Sequence, residues 1–255
     1  MLLAVDIGNT NIAVGVFNEK ELVKHWKIKS DSDKTCDEYK VLLLDLFGLG
    51  GVHVTNVDNI IISSVVPPLT PVFQSLSHAL FQVKPLVVGP GLKTGLPILY
   101  ENPSEVGADR VVASLAAFTK YGGPCVVVDF GTATTFDAVS EKGEYLGGAI
   151  APGIQIAAES LYLRTAKLPR IEILKPKQAV GRTTVASMQS GLYYGSIGLV
   201  AKIIEKIKCE IGSQAEVIAT GGFAALIAPE IEAISHFDPI LVLEGLRIIF
   251  EKNRN

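Results

Sequence analysis

An α/β fold of two related domains with a cleft between them is predicted by three observations. The first is an internal repeat. Residues 2–17, L-L-A-V-D-I-G-N-T-N-I-A-V-G-V-F, align without a gap on residues 125–140, C-V-V-V-D-F-G-T-A-T-T-F-D-A-V-S. The offset of 123 places Asp6 on Asp129 and Gly8 on Gly131, and it is close to half of the 255 residues. The second is the order of patterns, three strands, a helix, a strand and a helix, written twice. The third is composition: 48% hydrophobic and 19% charged residues suit a buried core and not a disordered chain.

The elements follow in chain order. Residues 2–6 are a near-continuous apolar run, read as a buried strand. Residues 11–17 and 21–28 continue as strands around a turn at Asn18, Glu19 and Lys20. Residues 36–47 read as a helix with Val41, Leu44 and Phe47 at three-residue steps, broken by the glycines of 48–51. A buried strand is expected over 59–66, stopped by Pro67-Pro68, then a helix over 69–82 and a short strand over 85–88. Residues 89–107 are crowded with Pro and Gly and read as an exposed functional loop. A helix over 110–121 ends at Gly122-Gly123-Pro124. The second half repeats the opening with strands over 126–129, 134–139 and 144–149. Helices are expected over 153–163 and 184–207, with an irregular basic stretch, 164–182, between them. A strand over 216–219, a Thr220-Gly221-Gly222 turn, a helix start over 223–229, a strand over 240–243 and a helix over 244–253 close the chain.

Several classes of function are disfavoured by composition. A net charge of −3 and a pI near 5.9 leave no electrostatic footprint for nucleic acid. Cys36, Cys125 and Cys209 are widely spaced and in no CxxC pattern, which fits reduced thiols in a cytoplasmic protein. The histidines show no metal spacing. No basic n-region precedes the first apolar run, so no signal peptide is expected, and no uncharged apolar stretch approaches the ~20 residues that span a bilayer.

Chemistry concentrates in the two repeated loops and the turn between them. In Asp6, Gly8, Asn9, Thr10 and Asn11, glycine lets the backbone approach an anion and adopt positive φ, and successive N–H groups form an anion-binding nest. Asp6 repels phosphate and makes sense there only with a cation such as Mg²⁺ between them, often through water. One such loop could equally be a plain β-turn; two aligned copies favour two grips on a phosphate chain, and so an enzyme that uses ATP. In the second copy, Asp129, Gly131 and Thr132 end a hydrophobic strand, where a carboxylate is costly without a cation or donors. Asp109, in Gly107-Ala108-Asp109-Arg110, is either a helix-dipole partner or a base that accepts a hydroxyl proton in phosphoryl transfer, with Arg110 beside it for anionic oxygens. Gly221-Gly222 could admit a flat adenine ring. Neither a P-loop nor a dinucleotide motif occurs.

The chain resembles the type III pantothenate kinases, a branch of the acetate and sugar kinase/actin superfamily. The carrying motifs are D-I-G-N-T-N at 6–11, P-S-E-V-G-A-D-R at 103–110, V-D-F-G-T-A-T-T-F-D at 128–137 and G-R-T-T-V-A-S-M-Q-S-G at 181–191. The first is shared across the superfamily; the second and fourth are far more specific. The resemblance implies two ribonuclease H-like (actin-like ATPase) domains with a central cleft. These would be residues 1–121 and 122–255, the second with an adenosine motif and a last helix that is a candidate to cross back. It implies ATP-dependent phosphorylation of pantothenate to 4'-phosphopantothenate, the first step of coenzyme A synthesis. Asp109 would be the general base. Asp6, Ile7, Gly8, Asn9, Thr10, Asn11, Ile12, Ala13 and Thr132 would bind ATP. Tyr100, Gly107, Ala108, Asp109, Arg110 and Thr184 would bind pantothenate. Asp129 would bind a monovalent cation, K⁺ or NH₄⁺, and Asp6 would hold Mg²⁺ through water. A cytoplasmic homodimer without nucleic-acid or membrane partners is implied. One departure is Ala113, where many relatives carry Asn. Two rivals share the loops: a sugar or acyl-phosphate kinase of the same superfamily, and an actin-like ATP switch or regulatory accessory protein.

Overall fold

The computed structural model describes residues 1–254 and divides into two compact units. One comprises Met1–Gly95, Asn102–Ala116 and the end of the chain from Val242; the other comprises Leu96–Glu101 and Ala117–Leu241.

In the first unit, β1 (Leu2–Ile7), β2 (Asn11–Asn18), β3 (Glu21–Lys29), β4 (Asn59–Ser64) and β5 (Leu86–Val87) form one sheet in the order β3-β2-β1-β4-β5. β1 pairs antiparallel with β2 and parallel with β4. The core holds Leu3, Val5 and Ile7 with Ile60 and Ile62, covered by α1 (Cys36–Gly50) and α2 (Leu69–Leu76). A capping box starts α1: Thr35 Oγ1 accepts from Glu38 N–H, and the Glu38 carboxylate accepts from Thr35 N–H at 2.8 Å. Its buried stripe is Tyr39, Leu43 and Phe47, whereas Val41 and Leu44 are exposed. The expected three-residue stepping is therefore replaced by the four-residue row that a straight helix presents to a neighbour. The chain after α2 widens into a π-turn over Ser77–Phe81 instead of continuing as α-helix to 82. α3 (Ala108–Tyr121) is buried continuously from Val111 to Ala117.

The second unit repeats the plan. Its sheet runs β10-β9-β6-β7-β8, from β6 (Cys125–Phe130), β7 (Ala133–Val139), β8 (Tyr145–Pro152), β9 (Glu216–Thr220) and β10 (His236–Phe237). β6 is antiparallel to β7 and parallel to β9, as β1 is to β2 and β4. α4 (Ile154–Arg164), α5 (Thr184–Ile211) and the short α6 (Ala224–Ile227) accompany it, and Val126, Val128, Phe130 and Phe136 pack on Tyr193, Val200 and Ile204. Two five-stranded mixed sheets of identical order are the α/β class expected from the repeat and the ribonuclease H-like class that the resemblance implies.

The strand expected at 240–243 is absent, and the adjacent strand is β10, His236–Phe237. Residues 241–243 instead open α7 (Leu241–Asn253). Asp238 decides this: its Oδ1 accepts from Ile240 N–H at 3.2 Å, and Pro239 fixes the intervening backbone. Its Oδ2 is buried against Lys120 Nζ at 2.7 Å and Tyr121 Oη at 3.0 Å. Leu243, Leu246 and Ile249 are then buried at helical steps.

Candidate active site

The residues expected to act fall on both units. In the first, Asp6 is half-buried near the carboxyl end of β1, level with Ala13 on β2 and Ser63 on β4. The turn that follows is closed by Gly8 N–H donating to Asn11 O at 3.1 Å. Gly8 does not adopt positive φ; a Cβ there would instead sit 3.0 Å from Asn11 O, so closeness is what the position requires. Asn9, Thr10 and Asn11 are exposed at the tip, and Ser30 N–H donates to Thr10 O at 3.0 Å. Ile12 is buried in the core and Ala13 half-buried, so these two shape the loop from beneath.

The same unit brings the Gly107–Arg110 turn to this loop through Val65. Val65 N–H donates to Ile7 O at 3.0 Å, and a Cβ on Gly107 would lie 3.6 Å from Val65 Cγ1. That Cβ would also stand 2.6 Å from Asp109 Oδ1, so glycine leaves the space into which the carboxylate folds. Asp109 Oδ1 accepts from Arg110 N–H at 2.8 Å. Burial raises the Asp109 pKa above the ordinary carboxylate range, against the opposing pull of backbone N–H groups and the Arg110 guanidinium. A carboxylate made more proton-hungry in the first turn of a helix is chemically a candidate base. Ala113 is buried in the same helix.

In the second unit, Asp129 is half-buried at the end of β6, level with Thr135 on β7 and Thr220 on β9. Gly221 is left-handed, with φ +97, and a Cβ on it would stand 2.2 Å from Asp129 Oδ1. Gly153, before α4, would carry a Cβ 2.3 Å from Thr132 O and 2.6 Å from Gly131 O. Two glycines thus press backbone against the carboxylate and the carbonyls of the second loop. That oxygen-rich cradle suits a hard monovalent cation. Around Asp6, the carboxylate and hydroxyl-bearing neighbours suit Mg²⁺ and its water. Among the described residues, no cluster of three or more His, Cys, Asp and Glu could hold a metal.

Tyr100 is 38% exposed and packs on Tyr145, ring centroids 6.3 Å apart, in the second unit. Thr184 is exposed in the first turn of α5, whose start is capped by Thr183 Oγ1 accepting from Ala186 N–H at 3.2 Å. Gly153, Thr135 and Asp137 have no place among the sequence-predicted site residues, although the last two stand in the V-D-F-G-T-A-T-T-F-D motif. The Cys125 thiol is buried and pushed up to about 12, too protonated to act as a nucleophile.

Residues 2–206 match the family model of the type III pantothenate kinases. Type III pantothenate kinase from Moorella thermoacetica is 54% identical over 253 residues, 99% of this chain and 100% of that protein. The enzyme of that name from Geobacter sulfurreducens is 52% identical over 254 residues and all of both chains. Among solved structures, a conserved protein from Campylobacter jejuni assigned to the Baf family of transcriptional activators superposes with a TM-score of 0.58. It is 22% identical, with 98% of this chain and 97% of that one covered. Ethanolamine utilization protein EutJ from Carboxydothermus hydrogenoformans gives 0.56 at 13% identity, covering 97% and 89%. These two likenesses speak for the fold alone. The family match and the full-length relatives speak for more: this chain belongs to the type III pantothenate kinase family.

Proposed function

We propose that the chain transfers the γ-phosphoryl group of ATP to the hydroxyl of pantothenate, giving 4'-phosphopantothenate, the first step of coenzyme A synthesis. The observation that carries this reading is the full-length identity of 54% to a type III pantothenate kinase. The chemistry of the Asp109 turn agrees with it. Asp109, held by Arg110 N–H and raised in pKa by burial, orients the acceptor hydroxyl and takes its proton. Arg110 and the backbone of Gly107 and Ala108 hold the substrate, with Tyr100 and Thr184 as further contacts. Residues 6–13 and Thr132 hold the phosphates by backbone N–H groups and short side chains. Asp6 would hold Mg²⁺ through water, and Asp129 the monovalent cation; bound there, the cations neutralise charge on the phosphates. The protein's share of the rate is positioning and charge stabilisation.

A homodimer in the cytoplasm is part of the same proposal. Ile150, Leu163, Val185, Tyr194 and Leu199 are exposed apolar residues of β8, α4 and α5, and they suit a subunit interface. Among the described residues, no helix is long and apolar enough to cross a membrane. Light scattering on the purified chain tests the dimer.

A coupled assay of ADP release tests the activity. Release should require pantothenate and rise with K⁺ or NH₄⁺. Release with sugars or acyl acids in place of pantothenate would favour the sugar or acyl-phosphate kinase. Release indifferent to every acceptor would favour an ATP switch.

A further inference from the structure

Asp137 closes the V-D-F-G-T-A-T-T-F-D motif and has no role in the scheme above. It is 1% exposed. Its Oδ1 accepts from Tyr145 Oη at 2.7 Å, and its Oδ2 accepts from Thr135 Oγ1 at 3.3 Å. A buried carboxylate is costly, and each of these donors offsets part of that cost. The two donors lead in different directions within the second unit.

Thr135 lies directly opposite Asp129 in the β6–β7 register, so the two side chains share a sheet face. A threonine hydroxyl has one proton. With that proton committed to Asp137, Thr135 Oγ1 meets any other group only as an acceptor. Beside Asp129, that makes it an oxygen fit for a cation and unfit for a competing donor role.

Tyr145 leads to Tyr100. Its backbone pairs with the 97–99 segment: Tyr145 N–H donates to Pro97 O at 2.8 Å, and Leu99 N–H donates to Tyr145 O at 2.8 Å. Its ring packs against that of Tyr100. Gly147, two residues on, has φ +118, and a Cβ there would stand 3.3 Å from the Tyr100 ring, so the ring rests on bare backbone.

We propose that Asp137 is a positioning residue, which holds Thr135 as an acceptor beside the cation carboxylate Asp129 and holds Tyr145 under the substrate contact Tyr100. The inference rests on the pantothenate kinase reading and on the roles proposed there for Asp129 and Tyr100. Within the second unit, one buried carboxylate joins Thr135, beside Asp129, to Tyr145, beside Tyr100.

The test is steady-state kinetics on the full-length enzyme with three variants. Asp137→Asn should raise both the KM for pantothenate and the K⁺ activation constant by about 10-fold or more, the usual scale for loss of an outer-shell partner. Its KM for ATP should move less than about twofold on the same scale. Tyr145→Phe should raise the pantothenate KM alone, and Thr135→Val the K⁺ constant alone. A merely structural Asp137 predicts lower melting temperatures with both constants unchanged in all three; that result overturns the proposal. If Asp137→Asn does not fold, the split between Tyr145→Phe and Thr135→Val decides: separate effects support the proposal, and equal or absent effects overturn it. Wild-type enzyme that releases no ADP with pantothenate overturns the functional reading itself. Wild-type enzyme active without regard to K⁺ overturns the Asp129–Thr135 half, and Tyr145→Phe decides the other half.

Discussion

The two Asp-x-Gly hairpins begin alike and end differently. In both, an apolar strand delivers an aspartate to the sheet end, one residue before the last strand position. In the first, Ile7 pairs with Ile12, leaving residues 8–11 as the turn. In the second, Phe130 pairs with Thr134, leaving only residues 131–133. The second turn is shorter by one residue, so the gapless sequence alignment slips out of structural register at the turn. A one-residue slip moves every following side chain to the opposite face. Ile12 and Val14 point into the first core, whereas their aligned counterparts, Thr135 and Asp137, share the Asp129 face. Ala13 stands level with Asp6, whereas its counterpart Phe136 enters the second core. One residue of turn thus separates a hairpin in which the residue level with the carboxylate is Ala13 from one in which Thr135 and Asp137 stand on the carboxylate's face. The difference teaches why two copies of one device could serve different cations.

The largest expected effect falls outside both hairpins and isolates the chemistry from them. Asp109→Asn should lower kcat by about 10²- to 10⁴-fold while ATP still binds, as removal of a general base does; near-normal kcat would remove Asp109 from the role. The same variant should be more heat-stable at neutral pH. Burial raises the pKa of folded Asp109, so the native chain binds this proton more tightly than the unfolded chain. That group's contribution is full below the unfolded carboxylate pKa and is lost as pH rises through the folded value. Melting curves across that window should show a flatter pH slope for the Asn variant.

Next come the paired aspartates. Asp6→Asn should weaken Mg²⁺ activation by about 10- to 100-fold, the scale for a water-mediated metal contact, with the K⁺ response retained. Asp129→Asn should abolish K⁺ activation and leave the Mg²⁺ requirement in place. Identical responses of the two variants to the two cations would erase the functional contrast between the hairpins.

A glycine pair sharpens the contrast at the level of backbone. Gly221→Ala must seat a methyl 2.2 Å from Asp129 Oδ1 at φ +97, whereas Gly8→Ala meets Asn11 O at 3.0 Å without a left-handed backbone. The first should lower the melting temperature by several degrees, at about 2–4 °C per kcal/mol for a chain of this size, and impair K⁺ activation. The second should do less to stability. The smallest effect is a control outside both turns: Thr35→Ala, which breaks the α1 capping box, should cost about 1 kcal/mol with kcat unchanged.

Much of this was legible in the sequence because it depends on short-range chemistry. The apolar runs of β1 and β6, the Asp-x-Gly ends and the Gly107–Arg110 turn are contiguous patterns whose burial and turn preferences act locally. The helical spacing of α1 is legible in its apolar residues, but its buried face is not, because the choice between the Val41 row and the Tyr39–Leu43–Phe47 row is made by what packs above it. The strand expected at 240–243 failed for a related reason: four apolar residues fit either pattern, and the Asp238 cap and helical burial of Leu243 and Leu246 decided for α7.

The sequence by itself determined the duplicated strand–Asp–Gly device and the order of elements in each half, and it left Asp109 open between a helix-dipole partner and a base. Tertiary structure alone decided that Gly221 and Gly153 press on the second loop, that Val65 links Ile7 to Gly107, and that Thr135 and Asp137 share a face with Asp129. The physical reason is that repeats and turns are written in neighbouring residues. Sheet register and close backbone approach are set by hydrogen bonds between segments that sequence distance does not relate.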